Sequence, residues 1–411
     1  MNELALHCTR REPSTLDASR FPMQARWVLR LLERIEHGRL DIVFPDGQRA
    51  RYGHGSPHAD IELANWNVFG ATLKSGDIGF AESYLAGDWS TSDPAKLLAF
   101  FLRNRAAVER VIYGSFLGCL LRRARKLLHR NTRARAKRNV HAHYDLGNAF
   151  YALWLDPSMT YSSALFAVHA DSTPDEASLA AGQRAKYHRV LDELRLPPRS
   201  RVLEIGCGWG GFAELAAGAG HDLTGITLSP SQLAYAGERL QRANLRADLQ
   251  LRDYRDVAGE YDGVASIEMF EAVGEAYWQS FFATLARTLK RGARACVQTI
   301  TIRNDLFERY RSGTDFVQQY IFPGGMLPSP DAFERQASAA GLRIENCLSF
   351  GRDYATTLAA WRARFVTRLD AVRVLGFDNH FIRLWEFYLG YCEAAFAEGN
   401  TDVVQFTLAA R

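Results

Sequence analysis

The stretch Arg201-Val-Leu-Glu-Ile-Gly-Cys-Gly-Trp-Gly-Gly-Phe-Ala-Glu-Leu-Ala-Ala217 decides the fold of this 411-residue chain. Val202, Leu203 and Ile205 form an apolar run of strand length. Gly206, Gly208, Gly210 and Gly211 make a turn after it, and Phe212 to Ala217 read as the start of a helix. A turn without Cβ atoms lets a ligand approach the backbone closely. The helix N-terminus behind it favours anionic or polar groups.

Two cofactor readings compete for this turn. Gly206, Gly208 and Gly211 satisfy G-x-G-x-x-G, a dinucleotide fingerprint. That fingerprint also needs an acid about 20 residues on, to hold a ribose hydroxyl. Here the second strand, Asp222-Leu-Thr-Gly-Ile-Thr-Leu228, ends in Thr227 and Leu228. Glu204 instead lies inside the first strand, two residues before the first glycine. The resulting E-x-G-x-G-x-G resembles motif I of S-adenosylmethionine (SAM) methyltransferases. A glycine turn that binds nothing is the blander reading.

Outward from the turn, strands and helices alternate. Helices over 210–217 and 231–243 separate strands over 201–205, 222–228 and 249–251, and strands Tyr261–Ile267 and Arg294–Ile300 follow. Ser229 and Pro230 supply an N-cap and a first-turn proline. Repeated βαβ units predict an α/β fold, a Rossmann-like parallel sheet with helices on both faces. Ligands then bind at the carboxyl ends of the strands, where Gly206, Thr227, Asp253 and Glu268 sit. The rhythm breaks at 303–345, where the aromatic, Pro- and Gly-rich Asp315–Pro328 reads as a lid or substrate wall. Most aromatics between Trp361 and Phe396 read as core, with some lining an apolar tunnel. Thr401–Leu408 reads as a closing strand.

Before the turn, residues 1–22 read as a flexible leader and 23–118 as a small α+β domain. A helix is expected at Trp27–Ile35, a hairpin over Arg39–Tyr52, and one amphipathic helix over Leu97–Tyr113. Residues 119–140 form a basic linker, and 141–411 the main domain. Nine of the chain's 50 Lys and Arg, and no acid, fall between Leu120 and Asn139, so elsewhere the 46 Asp and Glu prevail. Such a patch attracts phosphates of nucleic acid or anionic lipid. Leucines at helical spacing between the cations suit a membrane-surface helix or a solvated linker. Aromatics for base stacking are not interleaved, which argues against nucleic acid. His141 and His143 beside Asp145 lack further ligands and read as structural, so no metal is expected. Six scattered cysteines without a C-x-x-C pair fit a reducing compartment. No signal-like segment and no run of ~20 apolar residues occurs. A cytoplasmic location is expected.

Several motifs occur together and in order: His143-Tyr-Asp-Leu-Gly-Asn148, Met159-Thr-Tyr-Ser-Ser163, the glycine turn, Thr227-Leu-Ser229 with Gln232, Met269-Phe-Glu-Ala-Val-Gly274, Tyr320-Ile-Phe-Pro-Gly-Gly325 and Tyr391-Cys-Glu-Ala-Ala-Phe396. They resemble the cyclopropane-fatty-acyl-phospholipid synthase family, strongly from about residue 130 onward. The resemblance implies a class I methyltransferase fold, SAM as methyl donor, and an unsaturated acyl chain of a membrane phospholipid as acceptor. It implies that Tyr161, Ser162, Leu203, Glu204, Gly206, Cys207, Gly208, Gly210, Gly211, Thr227, Leu228, Gln232, Asp253 and Tyr254 hold SAM. Glu271, Tyr354 and Cys392 match residues around the reacting carbons, although Cys392 reads equally as a buried core thiol. It further implies peripheral association with the inner face of the membrane, and a homodimer is common in the family.

The chemistry suits these residue types. Methylation of an alkene leaves a carbocation, which needs a dry site with negative or π-electron density. Glu268, Glu271 and Tyr354 offer both. A base must then remove a proton, giving a cyclopropane or a methyl or methylene branch. The family uses bound bicarbonate, held by Cys where Ser163 stands and His where Gln298 stands. Ala272 likewise replaces a frequent His. Neutral Gln298 cannot shuttle a proton, so Glu268 or Glu271 is an alternative base, and ring and branch both stay open. Other readings are a lipid- or SAM-binding protein without turnover, a nicotinamide-dependent dehydrogenase, and a methyltransferase of small molecules or RNA.

Overall fold

The computed structural model describes residues 17–112, 146–167 and 173–410. The basic stretch 119–140 and the pair His141/His143 lie outside the described residues. The chain divides into two compact units at Gly118.

In the first unit, β1 (Gly38–Val43), β2 (Arg49–His54), β3 (His58–Leu63) and β4 (Trp89–Ser90) form a sheet of order β2-β1-β3-β4. Leu40 and Ile42 alternate inward from β1, and helix Met23–Leu32 lays Ala25, Leu29 and Leu32 into the same core. The single helix expected over Leu97–Tyr113 is two, Pro94–Arg103 and Arg105–Ile112. Asn104 separates them. Its buried amide donates to the carbonyls of His37 and Phe100 and accepts from the N–H groups of Glu36 and His37. A short polar side chain that binds backbone competes with helix continuation in this way.

The second unit is built on seven strands. They are β5 (Arg201–Ile205), β6 (Asp222–Thr227), β7 (Asp248–Leu251), β8 (Tyr261–Ile267), β9 (Leu289–Ile302), β10 (Leu342–Ser349) and β11 (Thr401–Ala410), in the order β10-β11-β9-β8-β5-β6-β7. β5 to β9 are mutually parallel, but β11 runs antiparallel to both β9 and β10. The all-parallel sheet expected from the βαβ rhythm is therefore mixed. β11 starts opposite Ile302, where β9 finishes, so it must run back along β9. β9 runs for 14 residues, beyond the expected Arg294–Ile300: β11 pairs it as far as Ile302, and its start at Leu289 pairs with Tyr261 of β8.

Helices cover both faces. Tyr187, Val190 and Leu194 of helix Glu176–Leu194 pack with Phe212 and Leu223 on one side. Phe281 and Phe282 of helix Trp278–Thr288 pack with Phe270, Phe333 and Phe406 on the other. Phe333 stacks on Phe406 at 4.1 Å and Leu342 is fully buried. Residues 330–345 thus belong to the sheet's own core rather than to the lid expected over 303–345. Apolar area of that kind is the main stabilising term of the fold.

Candidate active site

The cofactor turn is shaped by backbone that only glycine adopts cheaply. Gly206 has φ +88°, and a Cβ there would stand 2.9 Å from the Met269 side chain. Gly208 has φ +51°, and a Cβ there would project into open space. That space is a cleft at the carboxyl ends of β5, β6 and β8. Trp209 closes one side, its indole N–H donating to Asn148 Oδ1 at 2.8 Å.

Twelve of the fourteen residues expected to hold SAM line this cleft: Tyr161, Ser162, Glu204, Gly206, Cys207, Gly208, Gly211, Thr227, Leu228, Gln232, Asp253 and Tyr254. Leu203 and Gly210 do not. Leu203 faces the core in the alternation of β5, and Gly210 backs onto Ala236 of the next helix. Asp253 is engaged by Arg255, at 2.8 and 2.5 Å. Thr227 and Gln232 hydrogen-bond each other at 3.0 Å. Glu204 is buried, and its Oε2 has no partner among the described residues. Burial pushes its carboxyl up to about 8. An orphaned carboxyl oxygen beside an open glycine cradle suits a ligand with a cationic amine, which SAM carries.

A second cavity adjoins the first, walled largely by apolar and aromatic side chains including Phe322, Met326, Leu358, Tyr388 and Phe396. The two cavities share Tyr161, Glu268 and Ala272. Tyr161 is wedged among Tyr151, Trp154 and Trp361, and its hydroxyl meets that of Tyr388 at 2.7 Å.

Glu268 sits just after β8 with φ +48°. A non-glycine residue in that region costs of order 1–3 kcal/mol. Its carboxylate collects compensating hydrogen bonds. Oε1 accepts from the Ser163 N–H at 2.8 Å and from Gln298 Nε2 at 2.7 Å, and Oε2 accepts from the Tyr354 hydroxyl at 2.7 Å. Burial still raises its pKa above the usual carboxylate range, against the opposing pull of Lys186 and these donors. Glu271 lies in the second cavity's wall. Its Oε1 accepts from Thr299 Oγ1 at 2.9 Å and from the Ile300 N–H at 2.5 Å, while Oε2 has no partner among the described residues. Burial first, and the charge of Glu268 second, push it up to about 8. Burial raises both carboxyls, but Glu268 has the larger set of donors and the Lys186 charge, which favour its ionised form.

Tyr354 and Cys392 line the second cavity, and burial pushes the Cys392 thiol up, so it is neutral wall rather than nucleophile. Ser163 and Gln298 reach neither cavity. The Ser163 hydroxyl donates to the Ala164 carbonyl at 2.8 Å, and Gln298 is fully buried behind Glu268. These are the residues expected around bicarbonate. Their donors are already engaged, and an anion beside them would meet the Glu268 carboxylate. They do not form a bicarbonate site, and Glu268 takes the hydrogen bonds instead. Among the described residues no group of His, Cys, Asp and Glu is arranged to hold a metal ion.

Two residues escaped the sequence reading. Lys186 is fully buried, its Nζ donating to Ser162 Oγ at 2.5 Å and Gln183 Oε1 at 2.6 Å. Burial pushes it down to about 7, while Glu268 and Asp156 pull the other way. Gln405 of β11 is also fully buried and donates to Gln298 Oε1 at 2.9 Å. One cue existed: Lys186 is in phase with Leu179, Gly182 and Val190, the buried stripe of its helix.

Residues 131–406 match the family model described as mycolic acid cyclopropane synthetase. The chain belongs to that family. Among its relatives, the tuberculostearic acid methyltransferase UfaA1 of Mycobacterium tuberculosis is 39% identical over 388 residues, covering 92% of this chain and 90% of that one. The cyclopropane-fatty-acyl-phospholipid synthase of Escherichia coli is 34% identical over 355 residues, covering 86% and 88%. The solved structure of mycolic acid cyclopropane synthase CmaA1 complexed with SAH and CTAB superposes with a TM-score of 0.61 at 31% identity, covering 66% of this chain and 97% of that one. As a family member this chain is a SAM-dependent methyltransferase with a class I fold, and SAM is its methyl donor.

Proposed function

We propose that this protein methylates the double bond of an unsaturated acyl chain of a membrane phospholipid. The observation that carries this reading is the junction of the cofactor cleft with a long apolar cavity at Tyr161, Glu268 and Ala272. The names of the Escherichia coli and Mycobacterium tuberculosis relatives support a fatty acyl acceptor. The cationic stretch Leu120–Arg138 fits docking on anionic headgroups.

SAM supplies an electrophilic sulfonium methyl. The alkene π pair forms the new C–C bond as the C–S bond breaks, leaving a cation on the neighbouring acyl carbon. Tyr161 and Tyr354 present π-electron density to that cation, and Glu268 presents negative charge. A C–H bond then breaks, its electrons fill the cation, and Glu268 accepts the proton.

Proton loss from the transferred methyl closes a cyclopropane. A 1,2-hydride shift before that loss gives an exocyclic methylene, and loss from the chain gives a methyl-bearing alkene. Similarity to a tuberculostearic acid methyltransferase along 92% of the chain favours a branch. Deuterated-methyl methionine fed to cells expressing the protein decides between them, read by mass spectrometry and proton NMR of total lipid. We expect two deuteriums in a vinylidene group or three in a methyl branch. Upfield ring protons with two retained deuteriums would replace the branch by the ring. Unlabelled lipid would overturn the function.

A further inference from the structure

Glu268 is the terminus of a chain of side chains that starts at the half-buried Arg189, whose guanidinium also pairs with Glu193 at 3.1 Å. Arg189 Nη1 donates to Gln405 Oε1 at 2.5 Å, Gln405 Nε2 donates to Gln298 Oε1 at 2.9 Å, and Gln298 Nε2 donates to Glu268 Oε1 at 2.7 Å. Both ends fix this direction. Arg189 has only donors, so Gln405 must turn its oxygen to it and its NH2 to Gln298. An ionised Glu268 only accepts, so Gln298 must turn its NH2 to Glu268. The sheet register places Gln405 directly opposite Gln298, and both amides are fully buried, so neither can exchange its partner for water.

We propose that Gln405 and Arg189 are positioning residues for the base: they lock the Gln298 amide so that its donor end always faces Glu268. The proposal rests on Glu268 as proton acceptor. A free glutamine amide turns either face to a neighbour, and its oxygen against a carboxylate is repulsive. Here the guanidinium's polarity is handed through two neutral amides, so the site gains a donor without a titrating group at position 298. Chains of aligned hydrogen bonds polarise one another in this way. The remaining groups facing Glu268 are Lys186 from helix Glu176–Leu194, Tyr354 from helix Gly351–Thr367, and Glu271 beyond it.

The test is the near-isosteric Gln405→Glu. It keeps the bond to Arg189 but presents an acceptor to Gln298, which must turn its NH2 away from Glu268. Purified protein with SAM and phospholipid vesicles carrying a monounsaturated chain should lose about tenfold or more in kcat, in the range of a misplaced acid–base group. The acid limb of the kcat–pH profile should move up by about one pH unit, because a hydrogen bond to the charged form is lost. KM for SAM should not change. Gln405→Met, which cuts the chain without adding charge, should move the limb in the same direction and by less. A wild-type pH profile in both variants, beside an inactive Glu268→Gln, overturns the relay alone. Wild-type turnover in Glu268→Gln overturns the base reading, and the relay with it.

Discussion

Glu268 and Glu271 stand three residues apart, and the same buried strand supplies each with a different set of hydrogen-bond donors. Glu268 receives three hydrogen bonds, two on one oxygen and one on the other. Glu271 receives two on a single oxygen and leaves the other alone. Donors favour the charged form, whereas burial and a like-charged neighbour favour the neutral one. Burial raises both carboxyls, and the extra donors on Glu268 pull it back toward its charged form, the direction in which acid–base sites push two environments apart.

Glu271 should make the unliganded protein less stable as pH rises. Its folded pKa of about 8 exceeds the ordinary carboxylate value of 4.5. Its contribution to stability is therefore full below about pH 4.5 and is lost as pH rises through 8, with a slope of at most about 1.4 kcal/mol per pH unit. Thermal unfolding without SAM should show Glu271→Gln losing much less stability than wild type between pH 5.5 and 8. Parallel pH curves for the two proteins would refute the assignment.

Binding of SAM should expel a proton through Glu204. Near pH 7 the unliganded carboxyl, pushed up to about 8, is mostly protonated. The cationic ligand favours the carboxylate, so up to about one proton leaves and affinity rises from pH 6 to 8. Titration calorimetry in two buffers of different ionisation enthalpy reads that release. Glu204→Gln should abolish the buffer dependence and weaken binding; a wild-type enthalpy independent of buffer counts against it.

Lys186 should tune the base from beneath. Its positive charge favours ionised Glu268. Lys186→Met removes that charge, so the acid limb of kcat should move to higher pH. It also leaves Ser162 and Gln183 without their buried donor, at a cost of about 1–3 kcal/mol. A stability loss of that size with an unmoved pH profile would reduce Lys186 to a structural role.

Turnover should not depend on dissolved carbonate. Ser163 and Gln298 spend their donors on Glu268 and Ala164. In buffer stripped of carbon dioxide the rate should stay within about twofold of that in air, a difference under ~0.5 kcal/mol. A tenfold recovery on adding bicarbonate would restore the bound anion as base.

The basic stretch should govern vesicle binding. Replacing Arg122, Arg123, Arg125 and Lys126 with Gln removes four charges, each contributing about 1 kcal/mol near an anionic surface. Co-sedimentation with anionic vesicles should fall steeply while SAM affinity holds. Unchanged sedimentation would move the docking surface elsewhere on the protein.

How far these features could be read in the sequence depends on their range. β5 and β8 are apolar runs closed by a glycine and an acid, and β6 is followed by the Ser229-Pro230 helix cap, so these strands and the glycine turn are legible locally. The antiparallel entry of β11 is not, because pairing between Gln405 and Gln298 joins residues 107 apart. The start of β9, Leu289-Lys-Arg-Gly-Ala-Arg294, looks like a polar loop until its partners are known. Asn104 reads as one more helix residue until His37 stands beside it. At the site, Glu268 is marked by its place at a strand end. Ser163 and Gln298 are marked as residue types, but their aim at Glu268 rather than into a cavity is a matter of rotamers. Gln405 looks like a surface residue, and Lys186 is marked only by its phase with the buried stripe of its helix, because a buried polar group otherwise betrays itself through its partners.

The pleat of β9 holds the two acids apart. Gln298 serves Glu268, while its neighbour Thr299 and the Ile300 N–H serve Glu271. Successive side chains on a strand point to opposite faces, so a single strand acts as a two-sided ruler against which both acids are measured. A slip of one residue in either direction would leave one of the two acids facing an apolar side chain, Val297 or Ile300, in place of its donor. Strand register, normally a matter of folding fidelity, is here a term in the reaction's energetics. A one-residue insertion within β9 would therefore strip an acid of its partner while leaving every catalytic side chain in the sequence.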